Sequence, residues 1–142
     1  MGTKERINIA SGTPWEPLRG YSRAVRVGDN LYISGTTAMA SNGEVIGGSD
    51  AYEQTRYVIR VIKDVLSVAE FAITDVVRTR MFVTNLSKWE DYARAHSEAF
   101  DGVRPASSIV QVTRLVDPRL LLEMEVEAVK GCELIKSVKL QN

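Results

Sequence analysis

The sequence predicts an α+β domain: a mixed β-sheet with two helices on one face. Three observations carry this. Two stretches show helical periodicity with capping signals, five short β-prone stretches surround them, and the order of the two types is mixed rather than strictly alternating. At 142 residues the chain is read as one domain over 1–142, with a core over about 19–130 and a C-terminal tail over 131–142.

Residues 10–20 are rich in turn formers and read as a loop, with Trp15 expected to pack. Tyr21 to Val27 is β-prone and is followed by Gly28-Asp29-Asn30 and Leu31-Tyr32-Ile33-Ser34, a hairpin pattern in which Gly, Asp and Asn tolerate positive φ. A second loop spans Ala40 to Ser49. Asp50 is then an N-cap with Glu53 three residues on, and Ala51, Thr55, Val58, Ile59, Ile62, Val65, Leu66 and Ala69 form one helical face. Val76 to Val83 reads as a strand. Ser87 and Glu90 give a second capping-box pattern before the face Trp89, Tyr92, Ala93, His96, Ala99 and Phe100. Ser108 to Leu115 and Leu120 to Val129 complete the plan as strands joined at Asp117-Pro118.

Two helices cover only one sheet face. Along the last strand Leu122, Met124, Val126 and Ala128 alternate with Glu123, Glu125 and Glu127, so one face is apolar and the other acidic. Arg78 and Arg80 share a face of their own strand and supply cations for that acidic row. Two uses of this face follow: a solvated surface with cross-strand ion pairs, or a polar face buried in assembly.

Composition narrows function. Eighteen Lys and Arg balance eighteen Asp and Glu, which argues against a nucleic-acid binder, since phosphate contact needs a net basic surface. One cysteine, Cys132, allows no internal disulfide and is read as an ordinary thiol in a polar tail. With a single histidine, His96, a zinc site of N and S ligands is not expected. His96 falls on the apolar helix face and is read as a packed core residue. No phosphate-binding loop, dinucleotide fingerprint, zinc-protease motif or nucleophile elbow is present. The polar N-terminus shows no secretory leader, and no run is long enough to span a membrane, so a cytoplasmic protein is expected.

Three segments, Gly20 to Gly35, Thr74 to Leu86, and Arg104 to Val112 continued by Leu122 to Val129, together resemble the RidA/YjgF family. The resemblance runs from about residue 19 to residue 130. It implies the fold of Bacillus chorismate mutase, a homotrimer whose sheets form a central barrel, and three ligand clefts between subunits. It also implies cofactor-free hydrolysis of reactive imines and enamines, such as 2-aminoacrylate, to 2-keto acids and ammonia. Some members are described as endoribonucleases or translation inhibitors, and a non-catalytic ligand-binding or partner-binding trimer is the other alternative.

The resemblance also implies a site. Tyr21 fits the family's cleft tyrosine, Ser34 the serine before glycine, and Glu123 the cleft glutamate, expected to orient water. Ile109 stands where cysteine is common. The family's arginine after Pro-Ala, which holds a substrate carboxylate bidentately, is replaced here by Ser107. Losing one partner of a buried charge pair costs about 2–5 kcal/mol, so standard 2-iminobutyrate deamination is doubted. Arg104, three residues earlier, or a backbone amide is the expected substitute for a small, carboxylate-bearing ligand. No cofactor, metal, nucleic-acid or membrane partner is expected.

Overall fold

The computed structural model describes residues 2–141. Its strands are β1 (Arg6–Ile9), β2 (Ala24–Val27), β3 (Asn30–Thr37), β4 (Val76–Val83), β5 (Ala106–Gln111) and β6 (Leu122–Val129). Its helices are α1 (Trp15–Arg19), α2 (Ala51–Val68) and α3 (Trp89–Phe100). The strands form one sheet in the order β1-β2-β3-β6-β4-β5, antiparallel throughout except for the parallel β4–β5 pair. The expected mixed sheet with its two main helices on one face is therefore present.

The periodicity that predicts α2 also buries it. Ala51, Thr55, Val58, Ile59, Ile62, Val65 and Leu66 are all buried, against β3, β6 and α3. The Asp50 carboxylate accepts from Glu53 N at 3.1 Å, satisfying one orphan amide of the first turn. Gln54 is fully buried on the same helix. Its Nε2 donates to the Gly48 and Arg119 carbonyls at 2.5 and 3.0 Å, and its Oε1 accepts from Leu121 N at 2.9 Å. On the sheet, Leu31, Ile33, Met81, Val83, Leu122, Met124, Val126 and Ala128 complete the core.

The face away from the helices carries the acidic row with its cations. Arg80 pairs with Glu125 at 3.1 Å and with Glu127 at 3.4 Å, and Arg78 pairs with Glu127 at 3.5 Å. Each of these side chains keeps more than a third of its surface in water, so each pair contributes at most about 1 kcal/mol.

Several expectations change. β1 lies in a segment read only as a polar terminus; the alternating Ile7 and Ile9 suit an edge strand paired with β2. α1 lies within the expected loop, closed by Gly20 in the left-handed conformation at φ 69°. Trp15, expected to pack, is 59% exposed at its start. Asn85, not Ser87, caps the turn before α3, accepting from Ser87 N at 3.1 Å. The first hairpin strand begins at Ala24 rather than Tyr21. The penultimate strand spans Ala106–Gln111, because its ladder with β4 closes where Val112 N meets the Val83 carbonyl at 2.8 Å. The last strand starts at Leu122 because Gln54 takes the Leu121 amide.

Candidate functional site

A β-bulge organises the first group of polar side chains. Between Ile33↔Val126 and Thr36↔Met124, β3 advances three residues while β6 advances two. Ser34 and Gly35 therefore crowd opposite Glu125, a distortion of the kind that re-aims side chains. Ser34 is tied down on both sides: its amide donates to the Arg23 carbonyl at 3.0 Å and its hydroxyl to the Ser22 carbonyl at 2.7 Å. Glu123 lies directly over Gly35. A Cβ at Gly35 would fall 1.9 Å from Glu123 Oε1, so the glycine is required for this close approach.

Arg23 completes the cluster. Its Nη2 donates to the Gly35 carbonyl at 2.5 Å, and its buried Nε has no hydrogen-bond partner. Burial lowers the pKa of this guanidinium, against the charges of Tyr21, Glu16 and Glu123, which raise it; it stays a cation at any working pH. Burial raises the pKa of Glu123, the charges of Arg23 and Arg19 pull it back, and Glu125 adds to the rise. Glu16 is buried, which opposes ionisation, but hydrogen bonds from the Ser11 side chain and backbone and from Thr13, with the Arg23 charge, leave its pKa lowered. Tyr21 follows the α1 turn, its amide donating to the Glu16 carbonyl at 3.0 Å, and the Arg19 guanidinium lies 4.5 Å from its ring centroid. The result is an ionised Glu16, a cation whose Nε is buried, and a half-buried carboxyl whose pKa burial raises.

Ser107 and Ile109 lie elsewhere, on edge strand β5, where every residue is exposed. Ser107 pairs in register with Thr79 and Ile109 with Met81, both core-facing, so these side chains share the helix side of the sheet. Glu123 sits on the other side. Within one chain Arg23 interacts with the charges of both Tyr21 and Glu123, Ser34 adjoins the Gly35 that lies under Glu123, and Ser107 and Ile109 lie on the other side of the sheet. Arg104 is exposed in the left-handed region at φ 52°, with its Nε and Nη2 donating to the Asp101 carbonyl and carboxylate at 3.2 and 3.1 Å. Its guanidinium is engaged there and not with Ser107.

Two residues with chemical potential were not singled out in the sequence. Arg23 could have been found by alternation, since Ala24 beside it faces the core and Arg23 must then face the open side. Thr79 is a hydroxyl at a core-facing position: it is fully buried, 2.8 Å from His96 Nε2 and 2.8 Å from Ser107 Oγ. His96 stacks on Phe100 at 4.6 Å between centroids, as a packed residue does, but it is also hydrogen-bonded.

Two concavities, of about 440 and 380 Å³, lie between α2 and α3 beside Tyr57 and Arg60, and around Arg114 to Pro118; neither is lined by Glu123 or Ser107. Among the described residues no group of three or more His, Cys, Asp or Glu could hold a metal ion. Among them, too, no helix is long and apolar enough to cross a membrane.

Comparison with known proteins fits this geometry. Residues 13–130 match the family model described as Endoribonuclease L-PSP. An uncharacterised protein of Streptomyces coelicolor is 36% identical over 131 residues, covering 91% of this chain and 96% of its own. The 3-aminoacrylate deaminase RutC of Acinetobacter baylyi is 36% identical over 123 residues, covering 84% and 94%. Among solved structures, a YjgF-family member from Mycobacterium tuberculosis superposes with a TM-score of 0.80 at 40% identity, covering 88% of this chain and 99% of that one. On fold and sequence together, the chain belongs to the RidA/YjgF family.

Proposed function

We propose that the protein is a cofactor-free deaminase of small enamine or imine acids. It works as a homotrimer in which the Glu123 cluster of one subunit meets the Ser107 edge of the next. The observation that carries the reading is the half-buried Glu123, its pKa raised, held over Gly35 beside the buried Arg23. The RutC relative, named for deamination of 3-aminoacrylate, supports the reaction class. The open sheet face and the exposed β5 edge support the seam, since neither is covered by another element of the same chain.

The chemistry divides among the residues as follows. Arg23 offers the substrate carboxylate a cation, taking the role for which Arg104 stood in the sequence reading; charge-assisted contacts of this type are about twice as strong as neutral ones. A protonated Glu123 gives its proton to the enamine carbon β to nitrogen, leaving an iminium. The carboxylate formed then orients the attacking water, and it recovers a proton from the carbinol hydroxyl as ammonia leaves. Tyr21 and Ser34 shape the pocket, and Ser107 and Ile109 line its far wall. The attacking water must also lose a proton, for which a second acceptor is needed.

The test is ammonia release from freshly generated 2-aminoacrylate and 3-aminoacrylate. Turnover above the buffer rate, reduced at least about 100-fold in Glu123→Gln, is expected, the usual share of a general acid or base. Binding without turnover would establish the non-catalytic alternative instead, and turnover indifferent to Glu123→Gln would remove Glu123 from the chemistry.

A further inference from the structure

His96 is the one histidine of the chain, and the deaminase chemistry above leaves it unused. Its Nε2 lies 2.8 Å from Thr79 Oγ1, and Thr79 in turn donates to Ser107 Oγ at 2.8 Å. Three features set this row apart from routine core satisfaction. Thr79 has no exposed surface and occupies a β4 position flanked on the same face by Val76, Met81 and Val83, where an aliphatic side chain would avoid the cost of burying a hydroxyl. His96 alone would satisfy that hydroxyl, yet the row continues to Ser107. Ser107 is exposed, so the ring nitrogen of the half-buried His96 is connected through the fully buried Thr79 hydroxyl and the Ser107 hydroxyl to the edge of β5.

We propose that Ser107, Thr79 and His96 form a proton relay that opens at the edge of β5 onto a ligand bound there. The proposal rests on the deaminase reading for its chemical use and supplies the acceptor which that reading lacks. Ser107 touches the reacting water and is the catalytic residue; Thr79 and His96 act through it.

With Thr79 donating to Ser107, the Ser107 proton is free for an acceptor on the ligand. Rotation of both hydroxyls reverses the row, so that Ser107 donates to Thr79 and Thr79 to a bare Nε2. In that state water adds to the iminium carbon, its oxygen forming the new bond as the C=N π pair moves to nitrogen. The proton it sheds passes to Ser107 Oγ, the Ser107 proton to Thr79, and the Thr79 proton to Nε2, giving imidazolium. The same proton then returns along the row to the nitrogen. Ammonia departs with the C–N pair as the carbinol O–H pair closes the carbonyl, its proton going to the Glu123 carboxylate. Protein and proton inventory end as they began.

Burial lowers the pKa of His96, so the imidazole is neutral, and able to accept, at neutral pH. Thr79 from β4 is hydrogen-bonded to the ring, with Ser107 of β5 behind it, and Phe100 from α3 packs against it; none of the ion pairs among the described residues includes His96. Its titration is therefore sensitive to what occupies the far end of the row.

A lone histidine gives one set of imidazole resonances, so ¹H–¹⁵N spectra report its tautomer and titration directly. The full-length protein is compared with Ser107→Ala, an exposed substitution, and with Thr79→Val, each with and without 2-oxobutyrate as the probe. The relay predicts that Ser107→Ala shifts the His96 tautomer signals in the free protein, and that 2-oxobutyrate moves them in wild type but not in Thr79→Val. In turnover of 2-aminoacrylate, kcat/KM should lose its acid limb in His96→Gln and fall about 10- to 100-fold in Ser107→Ala. His96 signals identical in wild type and Ser107→Ala overturn the relay. Unchanged pH profiles in an active His96→Gln overturn its catalytic use. If wild type shows no turnover at all, the deaminase reading falls, while the spectra still decide whether the row exists.

Discussion

Replacing Gly35 by alanine isolates the contact on which the Glu123 carboxyl depends. Gly35 does not occupy the left-handed region, so alanine meets no backbone penalty and the perturbation is steric. The new Cβ would stand 1.9 Å from Glu123 Oε1, about 1.5 Å short of ordinary contact at 3.4 Å, and 2.7 Å from Cδ. The atoms that must yield are the far end of a flexible side chain. The stability cost is therefore small, about 1 kcal/mol at the low end for overpacking. The catalytic cost is larger, because a misplacement near 1 Å is worth roughly 100-fold in rate. The assay pairs thermal unfolding with ammonia release from 2-aminoacrylate, for Gly35→Ala alone and in a Glu123→Ala background. In that background the clash is gone, and the substitution should be neutral or slightly stabilising through the unfolded chain, by about 0.4–1 kcal/mol. Full activity in Gly35→Ala, or an equal loss of stability in both backgrounds, would refute the reasoning.

Other outcomes follow from the same contacts. A carboxyl whose pKa is raised on folding gives most stability below its unfolded value of about 4.3 and loses it as pH climbs through the folded value. Glu123→Gln should therefore match wild type in acid and exceed it in unfolding temperature at pH 7. His96, whose pKa is lowered, works in the opposite sense: stability falls as pH drops below about 6.5, and His96→Gln should flatten that limb in a urea titration. The buried Asp75 carboxylate accepts from Ala72 N at 2.8 Å, Gly131 N at 2.9 Å and Cys132 N at 3.3 Å, tying the end of β6 to the start of β4. Asp75→Ala should cost about 2–3 kcal/mol in denaturant unfolding, since it strands these amides. Multi-angle light scattering should give three times the monomer mass, and a monomer at working concentration would remove the walls of the proposed pocket.

The fold was legible where one physical rule acted alone. The α2 face and its Asp50 cap were readable from spacing, as was the alternation of β6, because burial on one side leaves a periodic trace. Boundaries failed where a distant group decided them. Gln54 sets the start of β6 from sixty-seven residues away, and Asn85 pre-empts the Ser87 cap. In the site, Tyr21, Ser34 and Glu123 were named by resemblance, and nothing in the spacing of Arg104 signalled its pairing with Asp101 in the turn just before it. Arg23 and Thr79 were overlooked for a common reason: each is a polar residue inside a β-prone stretch, and its importance appears only when a bulge or a neighbouring strand brings a partner to it.

A crystal structure with 2-oxobutyrate decides whether a small substrate carboxylate meets Arg23 beside Glu123. The carboxylate is expected on the Arg23 guanidinium, with the keto carbon within reach of Glu123 and Ser107 of an adjoining subunit closing the pocket. A carboxylate held by Arg104, or density confined to the groove between α2 and α3, would contradict it.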